Sequence, residues 1–132
     1  MIVLALLAQA TLSQATLPLS ELPTQKLSPG RCVTFLWTRT EPPLRIAMTD
    51  ETARTLRIVH AGKLLDLAAT GPMSYASSQL AISLDLDISE REGMTDGAII
   101  NQGSLRLDEP GKDSIVVPVG GIRACPAAAP AK

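Results

Sequence analysis

Aromatic residues, histidine and cysteine are scarce in this chain of 132 residues. It contains one Trp, one Tyr, one Phe, one His and two Cys. Three aromatic residues are too few to build the stacking platforms of single-stranded nucleic-acid sites. Twelve basic and thirteen acidic residues leave a formal charge of -1, without the basic excess typical of nucleic-acid-binding proteins. One His and two Cys leave little material for a zinc site. We therefore expect no nucleic-acid partner, no metal site and no other cofactor.

The motifs of common catalytic and nucleotide-binding sites are also missing. There is no G-x-S-x-G nucleophile elbow and no G-x-G-x-x-G dinucleotide motif. Gly62-Lys63 does not form a P-loop, because Arg57 stands where the first glycine is required and Leu64 replaces Ser or Thr. His60 alone remains as a general base, and the sequence identifies neither a nucleophile nor an orienting carboxylate for it. The sequence predicts a protein that is not an enzyme, with no catalytic residue assigned.

The first residues resemble a secretory signal peptide. An unbroken apolar run covers residues 2–8, and small-residue cleavage patterns end at Ala10 and at Ala15. The run is too short for a membrane span, which needs about 20 apolar residues. We expect residues 1–15 to be a signal peptide, cleaved after Ala10 or Ala15, and the protein to be periplasmic or secreted. The alternative is a buried strand of a cytosolic domain.

Two cysteines stand near the two ends of the region with strand signals. Cys32 precedes the first strong strand and Cys125 follows the last. An export signal together with two cysteines predicts one disulfide, Cys32–Cys125. The alternative is a pair of buried free thiols acting as small hydrophobic residues.

The apolar pattern between the cysteines has a period of two. In residues 80–88 the side chains Leu80, Ile82, Leu84, Leu86 and Ile88 alternate with small or acidic ones. A helix would scatter these five side chains over its whole surface, so the segment is a strand with one wet face. Similar segments recur along the chain, and no segment indicates a helix of more than one turn.

Turn signals and prolines divide the chain. Gly62 predicts a hairpin turn, and Pro110-Gly111 suits the central positions of a type II turn. Three prolines in residues 16–30 predict an extended lead-in, and residues 31–125 form the β domain. Pro118 indicates an edge position or a bulge, and Gly120-Gly121 predicts a bulge. We expect the tail, residues 126–132, to be disordered.

The element count favours an all-β, single-domain protein. About seven short strands separated by turn signals are typical of a β-sandwich or a small barrel. An immunoglobulin-like sandwich is favoured, and a partly open barrel is the alternative. Phe35 and Trp37 alternate with threonines and are expected in the core. Tyr75 is expected in a loop, where it can form a contact patch with Met73.

An acidic stretch, Asp85–Asp96, is the one cation-site hypothesis. Asp85, Asp87, Ser89 and Asp96 fall at positions 1, 3, 5 and 12 of an EF-hand-like spacing. Glu90 occupies the position that requires glycine, Asp96 replaces the bidentate Glu, and the first two aspartates belong to a strand. We therefore interpret the stretch as a solvated face that leads into a surface loop, and leave a cation site of another geometry open.

These features favour an exported, non-enzymatic binding, assembly or cell-envelope structural module, with another protein as its partner. A small secreted inhibitor of a protease or lysozyme is the alternative, and a small hydrolase using His60 is the third hypothesis. Fold alone does not choose among them, because β-sandwiches host all three.

Overall fold

The computed structural model describes residues 18–26, 30–89 and 97–125. The predicted signal peptide, Ser89-to-Asp96 loop and C-terminal tail therefore lie wholly or mostly outside the described residues. The described chain is all β, as the sequence predicts, and its strands are β1 (Leu19–Ser20), β2 (Val33–Thr38), β3 (Arg45–Asp50), β4 (Thr55–His60), β5 (Lys63–Gly71), β6 (Ser74–Ala76), β7 (Ala81–Ser89), β8 (Gly97–Asp108) and β9 (Ile115–Ala124).

Eight of these strands form one closed barrel. Each strand from β2 to β9 pairs antiparallel with the next, and β9 pairs back with β2. The order is therefore that of an up-and-down barrel, in which every connection is a hairpin. The immunoglobulin-like sandwich is not confirmed. A sandwich and a barrel share the same strand and turn signals, and the pairing of β9 with β2, which are distant in sequence, decides between them.

The interior of the barrel is filled with apolar side chains. The alternation predicted for residues 80–88 is confirmed at its start, where Leu80, Ile82 and Leu84 are buried and Asp85 is exposed, but not at its end, where Ile88 is 43% exposed after a shift in register. An eight-stranded barrel has an interior just wide enough for side chains to fill. The main cluster consists of Leu19, Leu36, Ile46, Ala47, Leu56, Ile58, Leu67, Tyr75, Leu80, Ile82, Leu84, Leu105, Leu107 and Val119.

The predicted lead-in is part of the barrel wall. β3 and β4 are paired only near their hairpin turn, from Met48 opposite Arg57 onward. Away from the turn the two strands separate, and β1 pairs with the C-terminal end of β4 instead. The Leu22 amide donates to the Arg45 carbonyl of β3, at 2.7 Å. The lead-in thus fills the gap where β3 and β4 separate. Leu22 is fully buried in a second cluster on the outer face, together with Val33, Met48, Phe35 and Val59.

Both predicted tight turns are confirmed by their backbone angles. Ala61 and Gly62 have φ of 52° and 79° and join β4 to β5 in a two-residue loop, the pattern of a type I′ turn. In the turn between β8 and β9, Gly111 has φ of 76° and the Lys112 amide donates to the Glu109 carbonyl. Positive φ after a proline is typical of type II.

The prediction that Phe35 and Trp37 belong to the core is wrong for Trp37, while Phe35 packs only partly buried against the second cluster on the outer face. Thr34 and Thr38 are buried, with 7% and 5% exposure, and share the inner face with Leu36. Phe35 and Trp37 are half-buried on the outer face. Alternation places residues on two faces, but it does not say which face is inside. Here the register of β2 against β3 and β9, together with the narrow barrel interior, places the face of β2 that carries Phe35 and Trp37 on the outside.

The predicted bulge at Gly120-Gly121 lies on the neighbouring strand instead. The register between β8 and β9 shifts between Ile100 and Gly103, so that the extra residue belongs to β8, opposite Gly120. Gly121 pairs regularly with Leu36. Pro118 lies one residue past the last pair of β9 with β2, where β9 is paired with β8 alone, which is a local edge position.

We predict that Gly121→Ala destabilises the fold by about 1–3 kcal/mol, because an added methyl group overpacks the seam. A Cβ at residue 121 would collide with the Phe35 carbonyl oxygen and push β9 away from β2. Gly71→Ala is the matched control, since its Cβ would lie 3.5 Å from Ser74 Oγ, an ordinary contact. Urea unfolding of both variants tests this, and equal midpoints would contradict it.

Candidate functional site

A recess opens on the outer face where β2 ends beside β9. Trp37 is directly opposite Gly120 of β9 and Arg45 of β3. Because Gly120 has no side chain, the surface beside the indole is not filled from β9. The recess has a volume of about 300 Å³, and its wall includes Trp37, Thr38, Arg39, Thr40, Glu41, Pro43 and Gly120. The one tryptophan of the chain therefore lines an open depression.

Arg39 connects this recess to a second one. A Cβ on Gly120 would lie 3.2 Å from Arg39 Nη2, so the guanidinium group lies over that glycine. On its other side Arg39 lines a recess of about 440 Å³ with Asn101, Gln102, Gly103 and Pro118. Asn101 and Gln102 belong to the bulged part of β8. The bulge thus brings two amide-bearing side chains to the same surface as Trp37. We name the two depressions together the Trp37 groove.

The loop between β2 and β3 is held by a chain of hydroxyl groups. The Leu44 amide donates to Thr38 Oγ1 at 2.9 Å, and Thr40 Oγ1 donates to the Pro42 carbonyl at 2.9 Å. The two hydroxyl oxygens are 2.6 Å apart. Since the Thr40 proton is engaged with Pro42, Thr38 is the donor between them. The exposed loop, residues 39–44, is thereby fixed at one edge of the groove.

Phe35 and Arg45 continue the outer face beyond Trp37. The rings of Phe35 and Trp37 are 6.0 Å apart and tilted by 53°, within the range of favourable aromatic pairs. The Arg45 guanidinium lies over the Phe35 ring at 5.6 Å and donates to the Leu22 carbonyl. Sequence reasoning missed this site because it placed both aromatic rings in the core.

His60 closes the end of the barrel near the β8–β9 turn. Its Nε2 is 2.9 Å from Glu109 Oε1, and Lys112 Nζ is 2.9 Å from the other carboxylate oxygen. The side chains of His60 and Glu109 are 17% and 11% exposed. No Ser, Thr or Cys in the described part of the chain is hydrogen-bonded to His60. The contact therefore joins two hairpins.

This contact predicts an acid-sensitive contribution to stability. Hydrogen bonds from His60 and then Lys112 hold the pKa of Glu109 below its ordinary value of 4.5. A carboxyl with a lowered folded-state pKa stabilises the fold above its unfolded pKa, and this stabilisation is lost as the pH falls through the folded pKa. We expect Glu109→Gln to be less stable than the wild type at neutral pH, with a smaller further loss below pH of about 4.5.

The measurement is urea unfolding at several pH values between about 2.5 and 7, a range that spans both states of the carboxyl. His60→Phe keeps the carboxyl but removes its first hydrogen-bond partner, so its acid-induced loss should lie between those of the wild type and Glu109→Gln. Parallel curves for all three proteins would contradict the assignment.

Only the first part of the acidic stretch, residues 85–89, lies among the described residues. Asp85 and Asp87 lie on the outer face of β7, opposite Ser104 and Gln102 of β8, around a recess of about 270 Å³. Glu90 and Asp96 lie outside the described residues. Within the described ranges no three His, Cys, Asp or Glu side chains are grouped to hold a metal ion. Cation binding by this stretch stays an untested hypothesis.

The prediction for Tyr75 is wrong. Tyr75 belongs to β6, not to a loop, and is 9% exposed within the main core. Burial raises the pKa of its hydroxyl, with the Glu51 carboxylate adding to the effect. A short strand between two turns has too few residues to show alternation, so its two neighbouring strands decided its conformation. Met73, in the preceding turn, is 38% exposed.

A polar cleft of about 290 Å³ lies between the lead-in and the barrel, near the β3–β4 hairpin. Four of its five charged side chains are paired, while Lys26 forms no ion pair with another described residue and Arg31 Nε is buried without a hydrogen-bond partner. Arg31 Nη2 is 2.7 Å from Asp50, and Arg57 donates to Asp66 by two nitrogens and to Gln25 by a third. These contacts attach the lead-in to the wall, which is a structural role.

The predicted disulfide Cys32–Cys125 is confirmed, with Cα atoms 4.1 Å apart. It lies directly beyond the pair of Val33 and Ala124, at the seam where β9 closes on β2. Within the described ranges, no helix has the length and apolarity needed to cross a membrane. Comparison with protein families, with curated proteins and with solved structures finds no match to this chain.

Proposed function

We propose that the protein is an exported, non-enzymatic module that binds a partner, either as a binding or assembly component or as a structural part of the cell envelope. The disulfide at the barrel seam supports an oxidising compartment, such as the periplasm or the extracellular space. Cleavage after Ala15 would keep Leu19 and Leu22, which the wall requires. Removal of a signal peptide is thus compatible with the complete barrel.

The observation that carries the proposal is the contrast between the two faces of the sheet. The inner face is filled by apolar side chains, while the outer face carries the Trp37 groove. Barrels that enclose a ligand need a wider or emptier interior. Because the barrel is closed, each strand from β2 to β9 has a neighbour on both sides. Few backbone groups are therefore left unpaired for a partner's strand to bind. Recognition therefore falls to the outer surface.

An inhibitor of a protease or lysozyme is the second candidate. The hydroxyl chain from Thr38 to Pro42 favours it, because a loop already ordered in the free protein loses little conformational entropy on binding. Residues 39–44 are exposed along their whole length. For the third hypothesis, a small hydrolase using His60, Glu109 could orient the imidazole, but no Ser, Thr or Cys among the described residues is hydrogen-bonded to it.

Site-specific photo-crosslinking in the producing cell tests the proposal. A photoreactive residue at Thr40 reports on the loop and groove, and one at exposed Leu64 of β5 is the control. Crosslinks to an envelope component from Thr40 but not from Leu64 support the module. A crosslinked hydrolase supports the inhibitor instead. Equal crosslinking from both positions, or none, would overturn the assignment of the binding face.

Intact-mass analysis of the native protein tests export separately. We expect a mature N-terminus between residues 11 and 16, because both small-residue cleavage patterns end there. Full-length cytosolic protein beginning at Met1 would overturn the proposed location.

A further inference from the structure

The Trp37 groove combines an aromatic wall with polar side chains that have no partner among the described residues. Arg39, Glu41, Asn101 and Gln102 line it, and none of them forms a hydrogen bond or ion pair with another described residue. Two other arginine side chains of the barrel surface are paired, Arg57 with Asp66 and Arg106 with Asp108, whereas Arg54 has no such partner among the described residues. The hydrogen-bonding groups of these four side chains are therefore free for a ligand, whereas the Thr38 and Thr40 hydroxyls are engaged within the loop.

These four side chains supply both kinds of hydrogen-bonding group. Arg39 offers only donors, Glu41 offers only acceptors, and the two amides offer both. A ligand that matches them carries groups that donate and accept at once, as hydroxyl groups do. Apolar ligands leave these groups unpaired at a cost, because a polar atom that is desolvated without a partner is unfavourable.

The charge of the groove is balanced. Arg39 and Glu41 are its two ionisable side chains among the described residues, and their charges cancel. A phosphate or a strongly acidic ligand would be attracted by Arg39 and repelled by Glu41 at close range. Asp87, opposite Gln102 at the border of the groove, adds a further negative charge, so the groove favours a ligand without negative charge.

The aromatic wall selects for an apolar surface on that ligand. The face of an aromatic ring is the negative part of its quadrupole and attracts weakly positive C–H groups. A pyranose ring presents C–H groups on its faces and hydroxyl groups around its edge, and the groove offers the matching chemistry, one indole together with polar side chains. Gly120 leaves space at the base of the groove because it has no side chain. A Cβ at this position would contact Arg39 and the Ile100 carbonyl oxygen.

We propose that the Trp37 groove binds a neutral oligosaccharide, with a sugar ring against Trp37 and hydroxyl groups hydrogen-bonded to Arg39, Glu41, Asn101 and Gln102. Two recesses that meet at Arg39 accommodate adjoining sugar units, and each is of the order of known ligand sites in volume. The proposal deepens the proposed function and rests on it, since an envelope module would have glycans within reach.

Fluorescence titration provides a direct test, because Trp37 is the one tryptophan of the chain. The mature, oxidised protein is titrated with chitotetraose, cellotetraose, maltotetraose and mannotetraose. A saturable change in Trp37 emission with at least one of them is the expected result. Absence of a saturable response to all four, confirmed by calorimetry, would overturn the proposal. Tighter binding of inorganic phosphate or of an oligogalacturonate than of any neutral sugar would also overturn it.

Variants locate the site by calorimetry, which does not depend on the indole. We expect Trp37→Ala to abolish binding and Trp37→Phe to retain part of it, since phenyl keeps an aromatic face. Arg39→Ala should weaken binding by about tenfold or more, as loss of a hydrogen bond to a charged group does. Lys63→Ala, which removes an exposed cation at the β4–β5 turn, is the matched control and should bind as the wild type does. Equal loss in the Arg39 and Lys63 variants would overturn the assignment.

The two proposals fail separately. Export is decided by the mature N-terminus and the binding face by crosslinking, whether or not a sugar binds. A crosslinked protein partner without sugar binding keeps the module and removes the oligosaccharide. Sugar binding by a protein that proves cytosolic keeps the groove and removes the envelope location.

Discussion

Replacing Cys32 and Cys125 together by serine lowers the free energy of unfolding by about 2–5 kcal/mol. For a domain of this size, the melting temperature falls by very roughly 5–20 °C. The disulfide joins residues 93 positions apart and ties β2 to β9 at the barrel seam. Without it, the unfolded chain regains the freedom that this long loop had lost, and the first residue pairs of the seam can fray. Thermal melts of the variant and the wild type measure the effect.

A reductant provides the control. Reduced wild type should melt like the double serine variant, and the variant itself should not respond to the reductant. Thiol counting under denaturing, non-reducing conditions should find no free thiol in protein from an oxidising compartment. Two free thiols there would contradict the disulfide and remove a main support for export.

Truncating Leu22 to alanine is expected to cost about 2–5 kcal/mol, the range for large-to-small substitutions in a core. Leu22 is fully buried on the outer face against Val33 and Met48, and its amide bonds the Arg45 carbonyl. The substitution leaves a cavity beneath the segment that fills the gap between β3 and β4. Because this segment completes the wall, we expect the loss to appear as a lower unfolding midpoint of the whole domain.

Leu64→Ala is the matched control for Leu22→Ala. Leu64 is 51% exposed on β5, and its removal should change stability by less than about 1 kcal/mol. Urea unfolding of both variants gives the comparison. Similar small losses would show that residues 18–26 are a dispensable extension rather than part of the wall.

Local features of the fold were predictable from the sequence because local chemistry controls them. Residues 80–88 alternate strictly enough to predict a strand, and the structure confirms the strand and the buried face up to Leu84, while a register shift before Ile88 leaves that side chain exposed. Gly62 and Gly111 were placed in turns because positive φ is inexpensive for glycine, and both have positive φ. The disulfide followed from the number and positions of the cysteines.

The candidate site was not predictable in the same way. Its parts come from the end of β2, the bulge of β8 and Gly120 of β9, which are far apart in the chain. Alternation in residues 33–38 placed Phe35 and Trp37 on one face, and hydrophobicity assigned that face to the interior. In the structure the narrow barrel interior holds the opposite face of this strand, so that Thr34 and Thr38 are buried and the two aromatic residues lie outside.

By itself, therefore, the sequence determined the all-β class, the period of the strands, the tight turns and the disulfide, since each depends on neighbouring residues or on counting. Tertiary structure alone decided that β9 pairs with β2 to close a barrel, that the lead-in fills the wall and that Trp37 faces outward. These features depend on which distant strands meet and in which register. That choice is made by the packing of the whole interior, and no single segment of the chain encodes it.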